Sequence, residues 1–174
     1  MLKQKLGWIA LVSAIAMLVY WGAVAMTPRM LMSVAMDRVG QNAPVNAMAH
    51  APLMTAEQRT IVRPSPDLAY STCLFDLADG PIEISAGPIA SPYWSLSVFD
   101  SSTNVAFVRN DSETGGGPVH IALAREGQTV AQDIETIRVS SDRGIALIRI
   151  LLTDRAAFDE IDEARRSARC MPIE

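Results

Sequence analysis

The chain has 174 residues, is 49% hydrophobic and carries a formal charge of −4, which is enough for one domain with a real core but not comfortably two. Its two lysines, Lys3 and Lys5, precede all 13 arginines and all 19 acidic residues, so the part after Met26 has a formal charge of −6. No basic cluster interrupts that acidic balance, which makes nucleic acid and anionic lipid headgroups poor partners.

The segment 6–26 is an apolar run broken only by Ser13 and two glycines. Twenty-one residues at about 1.5 Å each reach roughly 30 Å, the thickness of a bilayer's hydrocarbon core. Trp8 near one end and Tyr20 with Trp21 near the other suit the two headgroup layers. Lys3 and Lys5 ahead of the run keep the N-terminus cytoplasmic. The expectation is a retained single-pass anchor in a bacterial inner membrane, with everything after it periplasmic. A cleaved signal peptide is the rival reading, since Ala23-Val24-Ala25 has the A-x-A form of a cleavage site. Against it, the run exceeds the roughly 7–15 residues of a signal core.

Thr27-Pro28 reads as the start of a second helix, a hydroxyl cap followed by proline at the first helical position. That helix runs from Pro28 to Val39 and stops at Gly40. Residues 41–63 show no periodicity and read as a connector with at most a short helix. The organisation expected is therefore an anchor over 1–26, a juxtamembrane helix and connector over 27–62, and a β-rich domain over 63–174.

From Ala69 the apolar period becomes two. Cys73, Phe75 and Leu77 share one strand face, Ile82 and Ile84 the next, and Trp94, Leu96 and Val98 a third. Asp79-Gly80-Pro81 is a turn. Further strands are predicted over 105–109, 119–124, 134–139 and 144–152, with a flexible loop over 110–118 around three consecutive glycines. Thr153 or Asp154 caps a closing amphipathic helix, in which Phe158, Ile161 and Ala164 or Arg165 recur at helical spacing. Arg155–Asp159 and Asp162–Arg166 stand four apart and can pair along its exposed side. Short strands between turns give a mainly β, α+β fold: an antiparallel sheet or sandwich with a C-terminal amphipathic helix, preceded by one transmembrane helix.

Little in this pattern carries chemistry. There is no nucleophile elbow, no phosphate-binding glycine pattern and no C-x-x-C. His50 sits in the connector and His120 on the polar side of a strand, both as ordinary surface residues. The acidic residues of the last helix have no His or Cys at ligand spacing, so neither a metal nor a cofactor is expected. Arg149 stands out inside an apolar run that reads as a strand buried on both faces. A guanidinium there needs partners, for which Asp67, Asp76 and Asp100 are the candidates, or it serves an anion at a pocket. In an oxidising compartment Cys73 and Cys170, the chain's two cysteines, are expected to form one bridge; two free thiols are the alternative.

The segment Arg63-Pro-Ser-Pro-Asp67-Leu-Ala-Tyr70-Ser71, followed by Phe75-Asp-Leu-Ala-Asp-Gly-Pro81, resembles the opening pattern of the bacterial domain of unknown function 1254 family. Pro92-Tyr93-Trp94-Ser95-Leu96, then Asp100 and Thr103-Asn104, looks like its second block. The sequence departs from the family pattern at Ser65 and Pro66, where asparagines are usual, and at Leu68-Ala69, where a Thr-Leu pair is usual. The resemblance implies a β-rich domain that longer members join to a second one, the domain of unknown function 1214. It implies in turn a companion envelope protein supplying that second domain, bound through a sheet face or edge. It brings no catalytic residues. The matched or associated positions Asp67, Tyr70, Tyr93, Asp100, Asn104 and Arg149 are the candidate ligand- or partner-binding set. Trp94 also matches, as a core residue. The function expected is a membrane-anchored, non-catalytic envelope module that binds a companion protein. The alternative is a hydrolase-like or small-ligand periplasmic domain with a pocket lined by Tyr70, Tyr93, Asp100 and Arg149.

Overall fold

The apolar run continues without a break into the next segment as a single helix, α1 (Leu2–Gly40), in a computed structural model that describes residues 2–41, 43–55, 64–130 and 133–173. Pro28 lies inside this helix, so the expected helix start at Thr27-Pro28 is corrected. Proline removes one backbone donor from the ladder. The acceptor this leaves is the Val24 carbonyl; on the carbonyls to either side of it, Thr27 Oγ1 donates to Ala23 at 2.7 Å and Arg29 Nη1 to Ala25 at 2.9 Å. The helix is long and apolar enough to cross a membrane by length and composition. Arg63, with which the family resemblance begins, lies outside the described residues.

Among the described residues, nine strands form two sheets. The first has the order β1-β2-β8-β4-β5, from β1 (Met48–His50), β2 (Leu68–Asp76), β8 (Arg143–Leu151), β4 (Trp94–Asp100) and β5 (Val105–Asn110). The second has the order β7-β6-β3-β9, from β7 (Glu135–Arg138), β6 (Val119–Ala124), β3 (Ile82–Ala86) and β9 (Arg169–Pro172). All pairs are antiparallel except β6 with β7. The inward faces follow the period of two. Cys73, Phe75, Trp94, Leu96, Val98, Ile148 and Ile150 of the first sheet meet Ile82, Ile84, Val119, Ile121 and Leu123 of the second in one buried core. At Gly144 a β-carbon would stand 2.1 Å from the Phe99 carbonyl oxygen and 2.5 Å from Phe75 Cζ, so only glycine admits the close β2–β8–β4 approach there.

The structure joins Cys73 on β2 to Cys170 on β9 in a disulfide, with a Cα–Cα distance of 6.4 Å and a sequence separation of 97. The bridge therefore links the two sheets through the core. The strands β1 and β9 were not foreseen from the sequence. The loop expected over 110–118 contains a four-residue helix, α2 (Asp111–Thr114), closed by a capping box between Asn110 and Glu113. A 3₁₀ turn (Arg155–Ala157) capped by Asp154 leads into α3 (Phe158–Arg165). Arg155 donates to the Met54 carbonyl instead of pairing with Asp159, while Asp162 and Arg166 do pair, at 2.7 Å.

Candidate functional site

The outward face of the first sheet is organised in rows running across its strands, because residues in register on neighbouring strands project to the same side. The first row is Asp76 with Arg143, an ion pair at 3.3 Å. The second is Leu74, Ile145 and Phe99, continued by Val105 on β5. Met32, Ala35, Met36 and Val39 of α1 pack on the first three of these. The third row is Thr72, Leu147, Ser97 and Val108, and the fourth is Tyr70, Arg149, Ser95 and Asn110. The docked end of α1 thus packs on the second row and leaves the Arg149 row outside its contacts.

Arg149 is half-buried, which corrects the expected strand buried on both faces. Its Nε is buried and has no hydrogen-bond partner, and the same holds for Ser95 Oγ directly across from it. The expected carboxylates serve other groups. Asp76 accepts from the Ala78 amide and faces Arg143. Asp67 is exposed at the start of β2, where its backbone carbonyl accepts from the Leu152 amide. Asp100 is 3% exposed and accepts four bonds, from the Ser102 and Asn104 amides, the Asn104 side chain and Ser140 Oγ. Burial pushes its pKa up, but these bonds, led by Asn104 and Ser140, outweigh it and hold the carboxyl below its ordinary value. Asp100 and Asn104 therefore tie a turn.

Of the six candidate residues, four gather at one end of the first sheet. Tyr70 and Arg149 are register partners, Asp67 precedes β2, and the carbonyl of the exposed Tyr93 accepts from the Leu151 amide. Tyr70 is oriented by its hydroxyl, which accepts from the Ser65 amide at 2.9 Å. Asp100 and Asn104 stand at the other end of β4, about 23 Å from Tyr93 at 3.3 Å per residue. The pocket expected from Tyr70, Tyr93, Asp100 and Arg149 together is not assembled.

The sequence reading missed a second polar cluster, on the opposite side of β2. His50 Nδ1 lies 2.9 Å from the Oγ of the fully buried Ser71, and Arg165 of α3 is 1% exposed beside them. Arg165 donates to Asp162 and to the carbonyls of Tyr70 and Ala51, and its guanidinium stands 5.3 Å from the Phe158 ring centroid. Ser71, His50 and Asp162 are the residue types of a nucleophilic triad. However, both Asp162 oxygens accept from Arg165 and Arg166, and Ser71 is inaccessible to a substrate. Among the described residues there is no group of three or more potential metal-ligating side chains.

This cluster makes a pH prediction. Burial, then the charges of Arg165 and Arg166, hold the His50 imidazole below its ordinary value of 6.5, with Asp162 opposing and Arg169 adding to the effect. The folded chain therefore binds fewer protons at His50 than the unfolded chain. The resulting stability is whole above about 6.5 and is lost as the pH falls below it. Thermal melts from about pH 7.5 to pH 5 should show a fall in Tm that is smaller in His50→Gln. Parallel slopes in the two proteins would remove His50 as the cause.

The model of the family described as "Protein of unknown function (DUF1254)" matches residues 45–172. No curated protein matches the chain. Among solved structures, the VPA0106 protein of Vibrio parahaemolyticus has a similar fold, with a TM-score of 0.60 and 15% identity over 87% of this chain and 38% of its own. An uncharacterised protein of Burkholderia cenocepacia aligns with a TM-score of 0.46 and 14% identity over 79% of this chain and 38% of its own. The chain thus spans well under half the length of either.

Proposed function

The chain belongs to the DUF1254 family of proteins of unknown function, and on that premise we propose that it is a membrane-anchored envelope module that binds a companion protein and performs no catalysis. The β-sandwich stands on the periplasmic side of the inner membrane, held by α1. The disulfide supports an oxidising compartment, and the lysines ahead of the apolar run support a cytoplasmic N-terminus. The companion carries the domain of unknown function 1214 and docks on the outward face of the first sheet, over the Arg149 row.

The observation that carries this reading is the half-buried Arg149 guanidinium on the outward face of the sheet, whose Nε has no hydrogen-bond partner among the described residues. A buried polar atom without a partner costs stability in the isolated domain. A carboxylate from a docking protein can pair with the half-buried Arg149 guanidinium, whereas Ser95, 0% exposed, is out of its direct reach. The site offers an anchor charge on an outward sheet face, which suits recognition of an acidic partner surface.

The full chain, purified from its native membrane in mild detergent, is expected to bring with it a stoichiometric protein bearing the 1214 domain. Charge reversal in Arg149→Glu should weaken that association by more than tenfold, as truncating or opposing a buried interfacial charge costs about 2 kcal/mol or more. The melting temperature of the variant should match the wild type, because the buried Arg149 Nε makes no hydrogen bond among the described residues that the change would break. A wild-type chain that purifies alone, or an Arg149→Glu chain that retains its partner, would overturn the proposal.

A further inference from the structure

The path of α1 across the sandwich fixes which edge looks at the membrane. The stripe Met32–Ala35–Met36–Val39 spans about 10 Å along a helix axis. Its partners Leu74, Ile145 and Phe99 lie on three adjacent strands, which also span about 10 Å across the sheet. Their contacts are all from a single row, so the helix lies along that row and across the strands. Its C-terminal end is over β2, where a β-carbon added at Gly40 would stand 3.0 Å from Leu74 Cδ2. Followed backwards from Gly40, the helix passes β8 and β4 and leaves the sheet over β5.

The distances then set the level of β5. From β2 to β5 is three strand spacings, about 14 Å. From Gly40 back to Met26, the end of the apolar run, is about 21 Å of helix. The β5 edge therefore falls about 7 Å beyond the end of the run, which is the depth of a headgroup layer, roughly 5–7 Å on each side of the hydrocarbon core. The side chains there fit that level. Val105 is 56% and Val108 48% exposed on the edge strand, and Met30, Leu31 and Val34 are exposed on the adjoining part of α1.

We propose that the β5 edge of the first sheet rests on the headgroup layer of the bilayer that α1 crosses, so that the anchor and this edge together set the attitude of the domain. The inference rests on the reading of α1 as a retained anchor. It needs no basic cluster, since the anchor supplies the affinity and the edge supplies only apolar contact. The β9 edge, with exposed Met171, is at the opposite side of the second sheet and faces away from the membrane.

Nitroxide labels on single cysteines test this in the full chain reconstituted in phosphatidylcholine nanodiscs, with the native bridge intact. The variants are Leu18→Cys, Val105→Cys and Met171→Cys, read by collision with oxygen, which concentrates in lipid, and with a water-soluble nickel chelate. The Leu18 label is expected to be open to oxygen and closed to nickel. The Val105 label should show a marked loss of nickel access relative to the Met171 label. Equal nickel access at Val105 and Met171, with Leu18 in the hydrocarbon, overturns this inference and leaves the anchor reading standing. Nickel access at Leu18 overturns both.

Discussion

Replacing Arg165 with methionine is expected to destabilise the sandwich by about 3–5 kcal/mol, the usual consequence of removing one member of a buried ion pair. The side chain is 1% exposed, and its donors hold three elements at once: Asp162 on α3, the Tyr70 carbonyl on β2 and the Ala51 carbonyl just after β1. Methionine fills much of the volume but leaves Asp162 with Arg166 as its remaining partner and the Ala51 carbonyl without that donor. Burial lowers the Arg165 pKa; its hydrogen bonds to Asp162 and that carboxylate's charge oppose the shift, and the charge of Arg166 adds to it. Lysine should recover only part of the deficit, since a point charge cannot serve the three acceptors of a planar fork. Thermal unfolding followed by near-ultraviolet circular dichroism measures this. A methionine variant within about 1 kcal/mol of wild type would mean that packing alone holds α3.

The second large effect is expected at the inter-sheet bridge. Changing both Cys73 and Cys170 to alanine should cost about 2–5 kcal/mol, toward the upper end because the closed loop approaches 100 residues. A reductant should lower the wild-type melting temperature and leave that of the double variant unchanged. A wild-type domain indifferent to reductant would show that the core carries the two sheets without the bridge.

Much of the sandwich was legible because its strands are buried on one side, and a half-buried strand writes a period of two into the sequence. The strand expected over 119–124 matches Val119–Ala124, and Ile82 and Ile84 share the buried face of Ile82–Ala86, for that reason. The edge strands β1 and β9 left no such trace: three and four residues are too few for a period, and Pro172 argues locally against a strand. Pro28 misled in the same way. A local rule for helix starts gives way to the docking of Met32, Ala35, Met36 and Val39, which is not written near Pro28 as a pattern.

The arginines teach the same point from the site's side. Arg149 drew attention because it interrupts an apolar run, yet it lies on the outward face of its sheet and is only half-buried. Arg165, set at helical spacing with Phe158 and Ile161 as the alternative to Ala164, is the fully buried one. Its spacing from Ile161 is four residues and therefore the same helix face. Hydropathy of the neighbours does not rank the two, because burial is decided by which face an element turns to the core.

The bridge also alters what the protein does under tension. Pull on α1 against anything held beyond β9, and the load travels up the backbone to Cys73, crosses the sulfur–sulfur bond, and leaves through Cys170. Strands β3 to β8 hang on this path as a closed ring and bear none of it. Only α1, β1, the connector and the first part of β2 can pay out as slack, so a tethered domain jerked by its membrane would lengthen briefly and then stop, with most of its sandwich still folded behind a covalent shunt.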